Sequence, residues 1–452
     1  MEVLKIVQSQ KTYFDTNKTK DLTYRKKQLR QLLQNIEEHE EEIYQALEKD
    51  LKKCRQEAMI YELSLVKKEI QNYLKNIDKW ARPERRKTTA TLFLSRSFVY
   101  KEPFGVVLIL SPWNYPFLLS MQPLVNAIAA GNCVVLKLSR KSPYTAAVVE
   151  TIINETFSSN YVKVLDPETD YSTIMEASYD FIFFTGSQRV GRMIMRQASE
   201  NLTPVVLELG GKSPCIIDES CNLKETAKKI AWGKMINAGQ TCVAPDYCLV
   251  PAKLHEKFIT LLKEQFETLM PNPLENEQYG KIVNLHHYMR LKTAITNTKT
   301  VIGGAYDDRS NKIAPAIFPN TSFSDDIMKT EIFGPILPVI PYEEMEEVMI
   351  NLKQLEKPLA LYIFSNEKEI QNKLLKELSY GNGCVNHVLL QVANENLPFG
   401  GVGSSGMGNY HGKDGFTTFS HKKAVLHSIW SPNLQIPPYT EQKMHWISTF
   451  LK

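Results

Sequence analysis

Apolar residues recur at helical spacing through about residues 23–80. One face carries Leu29, Leu32 and Ile36, while a run of glutamates fills the opposite face. This spacing is typical of amphipathic helices, and we expect the acidic face to be solvated. The last helix of this segment should end before Pro83, because the residue before a proline avoids helical backbone angles.

Beyond residue 104 the pattern changes to short apolar runs that alternate with helical segments. Residues 106–110, 134–136 and 181–184 are apolar throughout, like strands covered on both faces of a parallel sheet. The alternation predicts an α/β fold with a Rossmann-like doubly wound parallel sheet, which binds ligands beyond the carboxyl ends of its strands.

A second αβ series follows, with helices predicted near 222–237, 253–269 and 343–355, and Gly210, Gly211 and Pro214 mark the boundary before it. The predicted organisation is a cofactor domain of residues 1–87 and 102–208, a catalytic αβ domain of 209–395, a glycine-rich loop of 396–415, and a small β bridging element of 88–101 and 416–440.

The bridging element is predicted from β-branched and aromatic residues at 88–101. They indicate a hairpin that turns near Ser95-Arg96-Ser97. Its open edges would be covered by a second subunit or by its own chain, and the sequence favours neither. From Lys422 onward, Pro432, Pro437 and Pro438 indicate an extended arm.

Composition narrows the class of protein. Lys and Arg (54) nearly balance Asp and Glu (50) in 452 residues, so no nucleic-acid partner is expected. Seven scattered cysteines without a Cys-x-x-Cys pair argue against disulfides and a zinc site, and fit a reducing cytoplasm. Neither a signal peptide nor a membrane anchor is evident.

Cys242 is the first candidate for chemistry. A predicted helix is broken by Gly239, and the thiol then lies on a loop before another β run. Loops held by a scaffold often carry catalytic groups, but a small buried cysteine would look the same.

Two further side chains follow predicted strands. Asn114 comes directly after the 106–110 strand, where its amide would donate to a developing oxyanion or simply form a turn. Glu208 lies within an apolar strand, so it should be protonated, paired or functional, and a carboxyl of raised pKa suits a general base.

Two glycine-rich segments are candidates for nucleotide binding. Gly401 to Gly406 matches a dinucleotide fingerprint in its letters, but it follows no predicted strand and starts no helix, so we interpret it as a loop. Gly186 to Gly191 joins a strand to a helix, where backbone N–H groups can face a pyrophosphate, although many such turns have glycines only for geometry.

Six motifs stand together in one order along the chain: Pro112-Trp113-Asn114, Thr185-Gly186-Ser187, Leu207-Glu208-Leu209-Gly210-Gly211-Lys212, Gly239-Gln240-Thr241-Cys242, Glu331-Ile332-Phe333-Gly334-Pro335 and Pro398-Phe399-Gly400-Gly401. In this order and approximate spacing the chain resembles the aldehyde dehydrogenase superfamily. The segments around Cys242 and after Ser405 resemble its class 3 branch in particular.

The resemblance implies roles for individual residues. Cys242 would be the nucleophile, Glu208 the general base, and Asn114 with the Cys242 backbone N–H the oxyanion site. The remaining predicted residues would contact NAD or NADP: Gly186, Ser187 and Gly191 at the pyrophosphate, Lys137 at the adenosine ribose, and Glu331 and Phe333 at the nicotinamide ribose. No metal is implied.

One position departs from the family pattern. Arg140 stands where the family usually has glutamate, in Lys137-Leu138-Ser139-Arg140. A carboxylate there would repel a 2′-phosphate, whereas arginine would pair with it. We therefore expect NADP to be accepted at least as well as NAD, unless Arg140 points to solvent. Asp166-Pro167, where the family often has a glycine pair, is a second departure.

The function predicted on this basis is oxidation of a medium- or long-chain aliphatic or aromatic aldehyde to its acid, through a cysteine thiohemiacetal and thioester. Trp113 and Tyr115 would line an apolar tunnel or belong to the core, and the chain would form a cytoplasmic homodimer. The alternatives are a cysteine-dependent ester or thioester hydrolase without redox turnover, and a non-catalytic binding protein.

Overall fold

The computed structural model describes residues 2–89, 92, 94–429, 434 and 436–450, so Pro432 and parts of the predicted bridging element lie outside the described residues. The helices in this part of the chain are α1 Glu2–Asp15, α2 Leu22–Glu38, α3 Glu40–Leu51, α4 Arg55–Ala58, α5 Ser64–Trp80, α6 Leu118–Ala130, α7 Pro143–Thr156, α8 Tyr171–Met175, α9 Gln188–Glu200, α10 Leu223–Met235, α11 His255–Leu269, α12 Leu285–Asn297, α13 Met345–Gln354, α14 Lys368–Glu377, α15 Gly412–Thr418 and α16 Glu441–Phe450.

The strands in the same described ranges are β1 Glu84–Arg86, β2 Ser95–Pro103, β3 Val106–Leu110, β4 Cys133–Lys137, β5 Val162–Val164, β6 Phe181–Gly186, β7 Val205–Leu209, β8 Pro214–Ile217, β9 Tyr247–Pro251, β10 Ile302–Gly303, β11 Tyr306–Asp307, β12 Lys312–Ile313, β13 Ala316–Phe318, β14 Ile336–Tyr342, β15 Ala360–Phe364, β16 Asn382–Val385, β17 Gly406–Met407 and β18 Ser420–Ser428.

The N-terminal helices form as the apolar spacing predicts. Asp21 caps α2 by accepting a hydrogen bond from the Tyr24 N–H, at 2.6 Å. Leu29 and Ile36 on its apolar face are fully buried, because this face packs against the first sheet's helices. Helix α5 ends at Trp80, before Pro83, as predicted.

The first large sheet has the strand order β17-β7-β6-β3-β4-β5. All neighbouring pairs are parallel except β17 with β7. The central strand β3 is completely buried, because helices cover both faces of the sheet. The predicted α/β fold with a doubly wound parallel sheet is therefore confirmed, and the carboxyl ends of β3, β4, β6 and β7 meet at one edge.

A second large sheet has the order β10-β13-β14-β9-β8-β15-β16 and is parallel except at β10. The chain passes from the first sheet to the second between Leu209 and Pro214. Helices α10, α11 and α13 of this part agree with the three helices predicted from apolar spacing.

A small antiparallel sheet, β1-β2-β18, contains a hairpin, but its first strand lies at Glu84–Arg86, before the predicted range of 88–101, and the predicted turn at Ser95-Arg96-Ser97 is wrong. Strand β2 runs straight through these residues, because β18 pairs with it from Ser420 opposite Pro103 to Ser428 opposite Ser95. The connection between β1 and β2 therefore lies before Ser95.

The C-terminal arm is extended only in part. Residues up to Ser428 form the strand β18, whereas the segment after Pro438 folds into the helix α16. The prediction of an extended arm from Lys422 onward is therefore wrong for α16, since a proline that precedes a helix does not interrupt it.

Candidate active site

A cavity of about 1120 Å³ opens at the carboxyl ends of the central strands of the first sheet and reaches the second sheet. This is the place where parallel α/β sheets bind ligands. With one exception, Gly191, the predicted site residues line this cavity: Asn114, Lys137, Arg140, Gly186, Ser187, Glu208, Cys242, Glu331 and Phe333.

Cys242 is presented by a tight turn. Helix α10 ends at Met235, and Asn237, Ala238 and Gly239 then all adopt left-handed backbone angles, with φ of 51°, 51° and 74°. A Cβ on Gly239 would lie 2.3 Å from the Gly334 carbonyl oxygen, so only glycine permits this close approach.

The Cys242 thiol keeps part of its surface open to the cavity, yet protein surrounds most of it. Burial raises the pKa of this thiol above its usual range, and the negative charges of Glu331 and Glu208 add to the effect. The resting side chain is therefore a protonated thiol.

Asn114 lies in the segment that follows β3 and is 3% exposed. Its Nδ2 donates to the Gln240 carbonyl oxygen at 3.1 Å. The next residue, Tyr115, shares a hydrogen bond of 2.7 Å between its hydroxyl and Thr241 Oγ1. Two side chains thus attach this segment to the turn that carries Cys242.

Glu208 lies in β7 and is 3% exposed at the cavity wall. Neither carboxyl oxygen has a hydrogen-bond partner among the described residues. Burial raises the pKa of this carboxyl well above its ordinary value. A buried and unpaired carboxyl binds a proton tightly, which makes its ionised form an effective proton acceptor.

Glu331 and Phe333 enter the cavity from the loop before β14. A Cβ on Gly210 would lie 2.0 Å from Glu331 Oε2, so this carboxyl lies directly against the Gly210 backbone. Burial raises the Glu331 pKa to about 8. The Phe333 ring packs edge-to-face on Trp113, with ring centroids 5.3 Å apart.

The glycine turn at the end of β6, with Gly186 and Ser187, forms another part of the cavity wall. Ser187 caps α9, because its Oγ accepts from the Val190 N–H at 3.5 Å, and the first turn of the helix faces the cavity. Gly191 lies deeper, where a Cβ would come within 2.6 Å of Leu209 Cδ2. This glycine therefore allows close packing of α9 on β7, and its contact with a pyrophosphate stays a prediction.

Lys137 and Arg140 lie at the far end of the cavity. The Lys137 Nζ is 5.0 Å from the centre of the Tyr171 ring, and burial lowers the pKa of this amine, as does the charge of Arg140. The exposed Arg140 guanidinium lies 3.7 Å from Glu168 Oε2. Arg140 thus borders the cavity and also reaches a solvent-exposed carboxylate, and its pairing with a 2′-phosphate stays a prediction.

Several contributors to the site were missed by the sequence analysis. The apolar end of the cavity is lined largely by side chains from the helical segments and the 389–393 loop: Ile60, Tyr61, Leu65, Leu118, Leu119, Trp232, Ile236, Leu390 and Val392. The signal available in the sequence was an apolar residue outside the helical core stripe. Ile60 is such a residue, and the structure shows it to be 53% exposed. Trp113 and Tyr115, which the sequence analysis did name, line the same cavity.

A thiol, a buried carboxyl and an amide thus share one cavity with a strand–glycine–helix turn suited to pyrophosphate. This combination fits an oxidoreductase that uses a dinucleotide. Comparison with known proteins agrees: the model of the aldehyde dehydrogenase family matches residues 1–425. The chain belongs to the aldehyde dehydrogenase family.

Individual relatives cover nearly the whole chain. The 4,4′-diaponeurosporen-aldehyde dehydrogenase of Staphylococcus aureus is 41% identical over 98% of this chain and 97% of its own length. The dimeric NADP-preferring aldehyde dehydrogenase of Rattus norvegicus is 40% identical over 91% of this chain and 92% of its own.

A solved structure of Staphylococcus aureus AldH in a substrate-bound state superposes with a TM-score of 0.96, at 40% identity and 99% coverage of both chains. Together with several family 3 members among the relatives, this likeness confirms the predicted class 3 resemblance. The protein oxidises aldehydes to carboxylic acids with NAD(P)⁺.

Proposed function

We propose that Cys242, Glu208 and Asn114 carry out this oxidation. The observation that supports the proposal is their position in one cavity beside Gly186 and Ser187. Glu208 comes from strand β7 of the first sheet, whereas Cys242 comes from the loop before strand β9 of the second. An aldehyde panel read as absorbance of reduced cofactor, with NAD and NADP in parallel, tests it. Hydrolysis of p-nitrophenyl esters without reduced cofactor from any aldehyde would favour the hydrolase alternative.

The cofactor fits the residues of this cavity. Within the described part of the chain, the buried Thr185 Oγ1 and both Glu208 oxygens lack hydrogen-bond partners, and the N-terminal turn of α9 offers backbone N–H groups. In our proposal Gly186 and Ser187 hold the pyrophosphate, and the buried Lys137 holds the adenosine ribose. The nicotinamide cofactor, when bound, accepts a hydride.

Glu331 and Phe333 would hold the nicotinamide ribose. The Glu331 carboxyl is fixed against Gly210, and Phe333 is fixed by its ring contact with Trp113. Arg290 supports the same loop, because its Nη2 donates to the Ile332 carbonyl oxygen at 2.5 Å. A preformed loop places both side chains at little cost in conformational entropy.

The first half of the reaction is acylation of the enzyme. The thiol proton of Cys242 leaves to water, and the thiolate sulfur bonds to the aldehyde carbon, whose oxygen takes up the π electrons. The Asn114 amide and the Cys242 backbone N–H donate to this oxyanion. Collapse of the thiohemiacetal restores the C=O bond as hydride leaves carbon, and a thioester remains on Cys242.

The second half is hydrolysis. Water attacks the thioester carbon while its proton passes to the ionised Glu208 carboxylate. The carbon–sulfur bond then breaks, and Cys242 leaves as a thiolate with the carboxylic acid as product. Because Glu208 has no hydrogen-bond partner among the residues that the structure describes, its lone pairs are free to receive this proton.

The substrate is proposed to be a medium- or long-chain aliphatic or aromatic aldehyde. Apolar side chains, including Leu65, Leu119 and Trp232, form the end of the cavity opposite the cofactor crevice. Burial of alkyl groups there is favourable by about 0.8 kcal/mol per CH₂. A polar or charged aldehyde would find few partners in this part of the cavity.

We further propose that NADP is used at least as well as NAD. Arg140 borders the cavity at the end where we place the adenosine, and among the described residues one exposed carboxylate, that of Glu168, lies at ion-pair distance. A 2′-phosphate brings more negative charge than this single carboxylate and would compete for the guanidinium. Steady-state kinetics with both cofactors tests the preference.

The proposed assembly is a homodimer, bridged by the small sheet. Strand β18 is a largely exposed edge strand of nine residues, and the rat relative is named as dimeric. The first sheet would form the cofactor domain and the second the catalytic domain. Sedimentation equilibrium of the full chain measures the assembly directly.

A cytoplasmic location is proposed from the chemistry of the cysteines. All seven are free thiols, which fits a reducing compartment. Every helix in the described ranges is too short or too polar to cross a membrane. Fractionation of cells that express the chain tests the location.

A further inference from the structure

Three charged side chains lie behind the turn that carries Cys242, outside the cavity wall. Lys53 and Glu62 have no exposed side-chain surface, and Glu57 is partly buried. They come from the segment between α3 and α5, where α4 is followed by a turn of π-helix at Met59–Leu63. Buried charges are costly unless each one is paired. We call Lys53, Glu57 and Glu62 the charged triad.

Lys53 pairs with Glu62 and contacts the segment that presents Asn114. Its Nζ lies 2.5 Å from Glu62 Oε1 and donates to the Asn114 carbonyl oxygen at 2.9 Å. The same ammonium lies 3.9 Å from the centre of the Tyr115 ring, a cation–π contact. Lys53 therefore holds the backbone and the side-chain ring of the segment that presents Asn114.

Glu62 fixes the other end of that segment. Its second oxygen, Oε2, accepts hydrogen bonds from the backbone N–H groups of Phe117 and Leu118, at 2.9 and 3.1 Å. These groups belong to the start of α6, where a carboxylate is also favoured by the helix dipole. The segment from Asn114 to Leu118 is thus held at both ends by one ion pair.

Glu57 reaches the turn before Cys242. Its Oε1 accepts from the backbone N–H of Asn237, which is the first residue of the left-handed run. Three consecutive residues with positive φ persist only when their surroundings hold them. The Asn237 side chain then donates from Nδ2 to the carbonyl oxygens of Asn114 and Gln240, at 2.8 and 3.1 Å.

The charged triad therefore contacts both halves of the proposed oxyanion site. Lys53 holds Asn114, and Glu57 holds the turn that ends at Cys242. We propose that Glu57 is a positioning residue, which sets the geometry of the Cys242 turn by accepting the Asn237 N–H and thereby keeps the turn in register with Asn114 through the Asn237 side chain. This inference rests on the proposed role of Cys242.

Three substitutions at one position separate the hydrogen bond from the charge. Glu57→Gln keeps an acceptor oxygen at the same reach and removes the charge. Glu57→Asp keeps the charge but withdraws the acceptor by about 1.5 Å, one carbon–carbon bond. Glu57→Met removes both while filling the space. Asp180→Ala is the matched control, because it removes a carboxylate that accepts the Val106 N–H at the amino end of β3, away from the cavity.

The first measurement is alkylation of Cys242 by iodoacetamide without aldehyde or cofactor, with Cys242→Ala as the blank. We expect Glu57→Gln and Asp180→Ala to react like wild type. The rate of Cys242 alkylation in Glu57→Asp and Glu57→Met should differ from that of wild type on the order of 10-fold, since a misplacement of about 1 Å in such a site can cost up to about 100-fold. The second measurement is aldehyde oxidation, where kcat should fall by a similar factor while KM for NADP stays unchanged.

The outcomes are distinct. Wild-type alkylation and kcat in Glu57→Asp, or a loss in Glu57→Gln as large as in Glu57→Met, overturns the inference. If Glu57→Met does not fold, Glu57→Asp and Glu57→Gln still decide, because both keep a polar acceptor. The variants could show the expected alkylation rates while the wild-type protein reduces no cofactor. That result would refute the proposed function and leave the positioning role of Glu57 supported.

Discussion

Asn114 donates its side-chain amide to the Gln240 carbonyl oxygen, 126 residues further along the chain, at 3.1 Å. This contact joins the end of a strand in the first sheet to the turn that carries Cys242. The amide proposed to stabilise the oxyanion is therefore positioned by the loop of the proposed nucleophile. A displacement of either segment will therefore move both Asn114 and the Cys242 turn.

Cys242→Ala should abolish aldehyde oxidation while the cofactor still binds, because the thiol forms the covalent bond and does not contribute to the crevice near Ser187. Reduced-cofactor absorbance measures the first effect and isothermal titration of NADP the second. Cys221→Ala, at a thiol outside the cavity lining, serves as the control and should retain full activity. Dehydrogenase turnover in Cys242→Ala would remove the nucleophile from the proposal.

Glu208→Gln should lower kcat by about 10²- to 10⁴-fold, the usual contribution of a general base. The ionised carboxylate is the active form and burial raises its pKa, so wild-type kcat should rise with pH above the range of an ordinary glutamate. The variant should lose this dependence. Asp50→Asn, at another buried carboxyl that accepts the Thr145 N–H, is the matched control. An unchanged pH profile in Glu208→Gln would contradict the assignment.

Arg140→Glu should lower the ratio of kcat/KM for NADP to that for NAD by about 10- to 100-fold, since a hydrogen bond to a charged group is worth about 1.5–3 kcal/mol. Glu168→Gln removes the competing carboxylate of the same ion pair, so the ratio should move in the opposite direction. A strong NAD preference in wild type that Arg140→Glu leaves unaltered would refute the proposed cofactor preference.

Substrate chain length should control kcat/KM. Each added CH₂ buried in the apolar end of the cavity contributes about 0.8 kcal/mol, so kcat/KM should rise about fourfold per carbon until the cavity is filled. Leu119→Trp narrows this end and should reduce the rate with decanal while sparing propanal. A flat series from propanal to decanal in wild type would count against a long-chain substrate.

Glu69 makes stability depend on pH. It is 1% exposed, and burial raises its pKa from 4.5 to about 7. The folded state thus retains a proton that the unfolded chain loses, so this contribution to stability is complete below pH 4.5 and is lost as pH rises through about 7.

The difference between these pKa values corresponds to about 3 kcal/mol. Glu69→Gln should therefore reduce the loss of unfolding free energy between pH 5 and pH 8 by up to that amount. Urea denaturation at both pH values, with the exposed Glu346→Gln as the control, measures the effect. Parallel pH dependence in wild type and Glu69→Gln would show that another group is responsible.

Local patterns were sufficient for much of the fold. The apolar stretches β3, β4 and β6 and the helices between them follow from side-chain periodicity, which is a property of neighbouring residues. The hairpin turn was misplaced because β18, more than 300 residues away, extends the β2 ladder through Ser95. Strand pairing over such a distance leaves no local signal.

The candidate site shows the same division. Cys242, Glu208 and Asn114 were recognisable because their motifs stand in one order along the chain. Lys53, Glu57 and Glu62 were not, because charged residues in helical segments are usually solvated and only packing reveals that Lys53 and Glu62 are fully buried and Glu57 partly so. Gly191 likewise required the structure, which shows its contact with Leu209.

The sequence by itself determined the α/β class, the order of the strands along the chain and the residue types available for chemistry. Only the tertiary structure decided which of these residues meet. The convergence of Glu208 from one sheet and Cys242 from a loop of the other on a single cavity depends on long-range packing. The physical reason is that periodicity specifies which face of an element is buried, whereas distances between elements are set by the packing of the whole core.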